Sequence, residues 1–177
     1  MNLLFRFFWL LASRFFSKHD ASILDPCHTE FRVWPTDLDL NFHVNNGKYL
    51  SIMDLGRFDL LLKGNVFGVL FRAGFYPVVA SESIRFRKSL GLFQRFTLTT
   101  QIESWDEKDF YILQTFKVGD TIYAEGYIKG RFRKRGQKQS VKTGALFEFV
   151  GLKHASQKMS PLAQAQKKIE SRLGSVK

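Results

Sequence analysis

From Asn46 to Lys63 the chain reads NGKYLSIMDLGRFDLLLK, a helix that leaves little of its surface for water. Asn46 can cap its start and Gly64 stops it. Tyr49, Ile52, Met53, Gly56 and Leu60 recur at helical spacing and line one side, and Phe58, Leu61 and Leu62 carry the apolar surface around much of the girth. Such a helix must be wrapped by other structure. Gly56 costs helix stability but permits a strand to approach closely. Asp54 and Arg57, three residues apart, can pair as a structural ion pair.

Beyond Pro77 the apolar period changes from about four to two. The pattern predicts strands over residues 77–88 and 96–104, a turn at Asp106-Glu107-Lys108, a strand over 110–118 and a hairpin at Gly119-Asp120. It then predicts strands over 121–135 and 141–150. Along 121–135, Ile122, Ala124, Gly126, Ile128, Gly130 and Phe132 form one set, and Glu125, Lys129, Arg131 and Arg133 the other. Residues 28–33 alternate as a first strand ahead of the helix, and residues 65–76 read as a loop or short helical stretch. A strand, a long apolar helix and four or five long antiparallel strands make an α+β chain. The arrangement that buries both the helix and one sheet face is a curved sheet wrapped around a central helix.

The 177 residues suit one domain with a sizeable core. Phe is over-used at 19 copies, which points to a broad apolar interior, an apolar ligand tunnel or lipid contact. One cysteine, Cys27, excludes an internal disulfide and a Cys-rich zinc site, and its sequence neighbours offer no base for a nucleophile. A reducing compartment is expected. The net charge of +11 implies anionic partners, among them phosphate-bearing substrates, acidic carrier proteins, acidic lipid and nucleic acid.

Residues 1–27 form a flank: an amphipathic helix followed by a connector that ends at Asp25-Pro26. The longest uninterrupted apolar run, Phe7–Ala12, is far too short to span a bilayer, and no small-residue cleavage site follows, so no cleaved signal peptide is expected. Asn2, Arg6, Ser13 and Ser17 share a narrow polar stripe, and Leu, Phe and Trp occupy most of the rest. This helix either lies in a membrane interface with Trp9 and the phenylalanines inserted and the arginines near lipid phosphates, or packs on its own domain or a partner subunit. Residues 152–177 form a basic tail. In it Ser160-Pro161 starts a terminal helix with Leu162, Ile169 and Leu173 on one face before Gly174.

The segment ahead of the apolar helix carries the chemistry. Asp37-Leu-Asp39-Leu-Asn41-Phe42-His43-Val44-Asn45-Asn46-Gly47-Lys-Tyr49 resembles the D-x-D-x-x-G-H-V-N-N-x-x-Y signature of hotdog-fold thioesterases, the 4-hydroxybenzoyl-CoA thioesterase-like branch above all. Met53-Asp54-Leu55-Gly56-Arg57 is similar to the helix pattern of the same branch. The resemblance implies the hotdog fold over residues 28–151, and a homodimer or higher homo-oligomer with active sites at the subunit interface. It implies hydrolysis of acyl-CoA or acyl-carrier-protein thioesters, with Asp39 as the catalytic carboxylate. Another hotdog branch uses a helix carboxylate, the position Asp54 would take. Where the signature has Gly this chain has Phe42, a bulky residue expected to reshape the loop beside Asp39 and to narrow or line the acyl pocket.

Thioester hydrolysis needs an activated water or attacking carboxylate and stabilisation of a developing oxyanion. Asp39 can act as general base or as nucleophile. A helix N-terminus supplies unpaired N–H groups and the positive dipole end, so the amide near Asn46-Gly47 can polarise the carbonyl. His43 orients Asp39 or braces the loop. The substrate contacts expected are Phe42, Asn45, Gly47 and Tyr49, with Arg85 and Lys88 among the cations for CoA phosphates, a set that also includes Arg87, Arg131, Arg133, Lys134 and Arg135. Asn45 and Asn46 also read as helix caps, and Tyr49 as core.

No phosphate-binding glycine loop, dinucleotide fingerprint, zinc-protease motif or nucleophile-elbow serine is present, so no metal or cofactor is expected. Nucleic acid is the least favoured anionic partner, because no recognition motif accompanies the charge. Acyl or lipid binding without turnover, on an anionic membrane surface, is the alternative function. A cytoplasmic location is expected, extending to the inner face of a membrane.

Overall fold

The computed structural model describes residues 2–15, 22–137, 141–150 and 159–175. Its centre is the apolar helix, α2 (Asn46–Lys63), which follows α1 (Asn2–Phe15) and β1 (Cys27–Arg32). A short helix, α3 (Phe67–Arg72), leads into four strands: β2 (Phe75–Phe86), β3 (Arg95–Trp105), β4 (Asp109–Val118) and β5 (Thr121–Lys134). Two further helices close the chain, α4 (Thr143–Phe149) and α5 (Pro161–Ser175). The strands form one antiparallel sheet in the order β1-β3-β4-β5-β2.

The sheet wraps α2. Met53 and Ile52 of the helix are buried with Leu98, Ile102, Ile112, Phe116, Ala124, Ile128 and Phe132 of the sheet in one core. Contact is closest at two glycines. A Cβ on Gly56 would lie 2.6 Å from Leu98 Cδ2 and 2.7 Å from Thr100 Oγ1, and one on Gly126 would lie 2.3 Å from Met53 Cε. Beside Gly56 the buried Gln114 donates to the Met53 carbonyl and to Thr100 Oγ1, both at 2.9 Å, and accepts from Arg57 Nη1 at 2.9 Å. Its amide therefore joins helix and sheet with its hydrogen bonds satisfied, the condition under which a buried polar group adds specificity. Arg57 also pairs with Asp54 and reaches Glu82 at 2.7 Å, so the anticipated ion pair extends onto β2.

Several expectations are corrected. Residues 141–150 are a helix over Thr143–Phe149, not a last strand. The adjacent Leu146 and Phe147 are both buried and Phe149 is exposed, which fits a helical turn and not the alternation of a strand. In that helix Phe147 packs edge-on against Trp105 at 4.7 Å and covers an end of the sheet. Helix α2 is capped by Asn45, not Asn46: Asn45 Oδ1 accepts from Gly47 N at 2.9 Å. On α5 it is Ala163 that is buried, against Tyr111 and Tyr127, while Leu162 and Ile169 are exposed. The side chain of Leu173 lies outside the described residues, as do residues 16–21, which include Ser17 of the expected polar stripe and the start of the connector.

Helix α1 packs on the domain, and its arginines do so rather than facing outward. Arg6, 7% exposed, pairs with Asp37 at 2.6 Å and donates to the Arg32 carbonyl at 2.7 Å. Arg14 pairs with Asp59 through two hydrogen bonds, at 2.6 and 2.7 Å. Asp59 is fully buried on α2 and also accepts from Thr29 Oγ1 at 2.6 Å and from Cys27 Sγ at 3.5 Å. Burial alone would raise the Asp59 carboxyl, but the Arg14 and Thr29 hydrogen bonds outweigh it and hold the group below the usual carboxylate range. The neighbouring Cys27 thiol is pushed up to about 11, by burial first and by the Asp59 charge second, which makes it a core residue and not a nucleophile.

Candidate active site

The motif segment folds into a tight reversal against the start of α2. After β1 a single helical turn, Pro35–Asp37, redirects the chain. Asp37 Oδ2 accepts the Trp34 amide at 2.9 Å and the Arg6 guanidinium, and its carbonyl accepts the Asn45 amide at 2.9 Å. Asp37 is thus the clamp of the loop, with 1% exposure and no access to a substrate.

Leu38 then bridges Val44 as an antiparallel pair, and Asp39 N donates to the His43 carbonyl at 3.0 Å. Residues 39–43 form the tip. Asp39 Oδ1 accepts the Asn41 amide at 2.9 Å and stands 3.5 Å from His43 Nδ1. Both side chains are partly exposed, Asp39 at 23% and His43 at 36%. A carboxylate held by its own loop, beside an imidazole and open to solvent, can take a proton from water or attack a carbonyl.

The helix start lies on the other side of this reversal. Of its first three amides, Gly47 N–H donates to Asn45 Oδ1 and Lys48 N–H to the Asn45 carbonyl at 2.8 Å. Asn46 N–H meets no acceptor among the described residues. The donor expected near Asn46-Gly47 therefore resolves to the Asn46 amide, because the Asn45 cap occupies that of Gly47. Asn45, Asn46 and Gly47 are all exposed. The fold brings together Asp39, His43, Asn45, Asn46 and Gly47 on one short stretch of surface.

Of the other expected contacts, Tyr49 does not join them. Tyr49 is 2% exposed and packs edge-on against Phe86 and Phe116 at 5.0 and 4.9 Å, so it is core, and burial raises its hydroxyl pKa. Phe42 sits at the tip between Asp39 and His43 and lines neither of the two cavities found among the described residues. Its backbone takes the left-handed conformation, φ 58°, where the signature has glycine, and its ring is 82% exposed. Of the cation set, Arg131 is committed to Asp109 at 2.9 Å and Arg87 to Glu125 at 2.6 Å. Arg85 and Lys88 are exposed on β2 and just after it, with Lys88 Nζ 5.9 Å from the Tyr123 ring centre. Arg6, Arg14 and Asp59 escaped the sequence reading. Nothing in an isolated Arg within an apolar run separates a buried ion pair from a solvent-facing charge.

Sequence comparison decides the family: the sequence model of the thioesterase-like superfamily matches residues 33–163. The chain belongs to the thioesterase-like superfamily. Curated relatives of this superfamily chain include protein THEM6 of Xenopus laevis, 39% identical over 84 residues, which are 48% of this chain and 41% of that protein. A "Probable thioesterase" of Saccharomyces cerevisiae is 28% identical over 122 residues, 67% of this chain and 52% of that one. The chain spans about half or less of the length of these relatives. Among solved structures, the probable thioesterase YbaW of Escherichia coli aligns with TM-score 0.66 and 20% identity over 71% of this chain and 96% of its own. A Staphylococcus aureus protein determined in complex with CoA aligns with TM-score 0.63 and 17% identity, over 82% of this chain and 95% of its own. These likenesses establish the hotdog fold of a thioesterase-like chain. Both α1 and β1 lie before the matched segment, so the α1 clamp on Asp37 reaches in from outside it.

Proposed function

We propose that this chain hydrolyses acyl-CoA or acyl-carrier-protein thioesters, with Asp39 as general base or nucleophile and the Asn46 amide as oxyanion donor. One observation carries the reading: a partly exposed Asp39 beside His43, folded back onto a helix start whose first amide has no acceptor. Removing one such donor typically costs about a hundredfold or more in turnover, which is the scale of help the Asn46 amide would give. CoA bound to a structural neighbour supports the substrate class.

The same reading places two copies together. Strand β2 is an outer strand of the sheet and its free edge runs over Phe75–Phe86, with Tyr76, Val79 and Phe86 over 40% exposed. A long open edge is a template for pairing, and antiparallel β2–β2 contact across a twofold axis supplies a homodimer. Arg85 and Lys88 then lie along the junction for CoA phosphates.

A panel of acyl-CoAs followed with a thiol reagent tests the activity. Asp39→Ala is expected to lose at least a hundredfold in kcat/KM, and equal turnover by the two proteins would sink the mechanism. The second reading, acyl or lipid binding without turnover, draws on the apolar cavity of about 170 Å³ between α2 and the sheet, lined by Phe58, Leu61, Val78, Ile112 and Ile128. Tight acyl-CoA binding with no thiol release by wild type would favour it.

A further inference from the structure

Helix α1 is inside out for a surface helix. Its guanidinium groups and Leu10 face the domain, whereas Leu4, Phe5, Phe8 and Trp9 are 62–67% exposed. At 100° per residue these four span one stripe, opposite the stripe of Arg6, Leu10 and Arg14. The inner ion pairs fix the helix, so the apolar ridge is presented rigidly and not folded under. Burying even one such aromatic is favourable, and three of them with a leucine on one exposed stripe mark an interaction site.

The flank of the ridge identifies what it meets. A surface depression of about 750 Å³ runs from Phe5 and Trp9 past Trp34 to Arg32, Arg95 and Lys117, with Glu30 its one carboxylate. None of these three cations forms an ion pair among the described residues. The Arg32 guanidinium lies over the rings of Trp34 and Phe93, at 5.9 and 5.2 Å, and both rings are partly exposed. Phe93, like Phe42, holds a left-handed backbone, φ 57°, which costs energy in a bulky residue and needs a reason. Aromatic rings beside unpaired cations match the interfacial layer of a bilayer, where rings sit at headgroup depth and phosphates lie just above. The overall charge of +11 has the matching sign. Among the described residues no helix is long and apolar enough to cross a membrane, so the geometry is one of lying on it.

We infer that α1 and the adjoining basic depression form a docking face for an anionic bilayer surface, with Phe5, Phe8 and Trp9 inserted and Arg32, Arg95 and Lys117 on lipid phosphates. This gives residues to the membrane alternative raised by the sequence, and it stands whether or not Asp39 hydrolyses a thioester.

Cosedimentation of the full chain with vesicles tests it, using phosphatidylcholine alone and phosphatidylcholine mixed with phosphatidylserine. Wild type is expected to bind the mixed vesicles at least about tenfold more tightly, with loss in high salt. Phe5→Ser/Trp9→Ser and Arg95→Glu/Lys117→Glu change exposed or partly exposed side chains and should unfold at the wild-type temperature. Each is expected to weaken binding to the mixed vesicles about tenfold or more. Tryptophan quenching by brominated lipid should be strong in wild type and reduced in the first variant. Absence of wild-type binding, equal binding to both vesicle types, or unchanged binding by either variant overturns the inference. So does a shift from dimer to monomer in the first variant by sedimentation, which would make the ridge a contact between copies.

Discussion

Phe42 offers a test in which backbone and side chain can be separated. Its φ of 58° lies in the region that L-residues avoid at a cost of about 1–2 kcal/mol. Glycine removes that cost but adds unfolded-chain entropy worth about 0.5–1 kcal/mol. Phe42→Gly should therefore gain roughly 0.5–1 kcal/mol over Phe42→Ala, which keeps the strain and loses the ring. The ring contributes little, because 82% exposure leaves about a fifth of a burial worth roughly 1.5–3 kcal/mol, near 0.5 kcal/mol. The expected order is Gly above Ala, with Ala slightly below wild type. This inverts the usual order within regular structure, where alanine is the more stable. Urea midpoints at several protein concentrations, with equal slopes, measure it. Alanine equal to or above glycine would refute the left-handed loop. A loss of about 2 kcal/mol or more in Phe42→Ala, concentration-dependent, would show that the ring is buried against a second copy.

Other outcomes follow from the same coordinates. Arg6→Met leaves the buried Asp37 without its counter-charge and should cost about 3–5 kcal/mol by thermal unfolding; a cost under 1 kcal/mol would show that the pair is solvated. The same variant should lower kcat, because Asp37 also holds the Trp34 and Asn45 amides that shape the Asp39 loop. Gly56→Ala places a Cβ 2.6 Å from Leu98 and should destabilise by about 1–3 kcal/mol, whereas an exposed helical Gly→Ala stabilises. Cys27, at about 11 when folded against 9.0 as its ordinary value, stays protonated after an unfolded thiol has ionised. Its contribution is complete below pH 9 and is lost as pH rises toward 11. Cys27→Ala should flatten that part of the stability profile, and an unchanged slope would place the thiol in solvent. Asp59, held low, works in the opposite sense: its contribution is present above the ordinary carboxylate range and is lost as acid protonates it.

Local pattern carried most of the architecture. Period two located β2 to β5 to within two residues at each end, and apolar density around α2 required a wrapping sheet. The motif located the Asp39 loop and the helix start, because the turn and the helix cap both reside in that short segment. Residues 143–149 form a helix where a strand is expected because a short apolar run does not distinguish the two by pattern, and burial of the adjacent Leu146 and Phe147 is settled only by packing. Tyr49 sits in the motif yet faces the core, since its place on the first turn of α2 points it at Phe86 and Phe116.

By itself, then, the amino-acid order determined a hotdog sheet around α2 and a loop that carries Asp39 seven residues before it. Tertiary structure decided which charges of α1 turn inward. Arg6 is buried and Arg14 partly buried only because Asp37 and Asp59, distant in sequence, neutralise them there. Burial of a guanidinium depends on a partner across the fold, and no local pattern records that. The same packing left the helix's aromatic residues facing out, and it singled out the Asn46 amide by committing those of Gly47 and Lys48 to the Asn45 cap. Within the opening motif, tertiary structure also put Phe42 in the left-handed conformation that favours glycine, with its ring exposed.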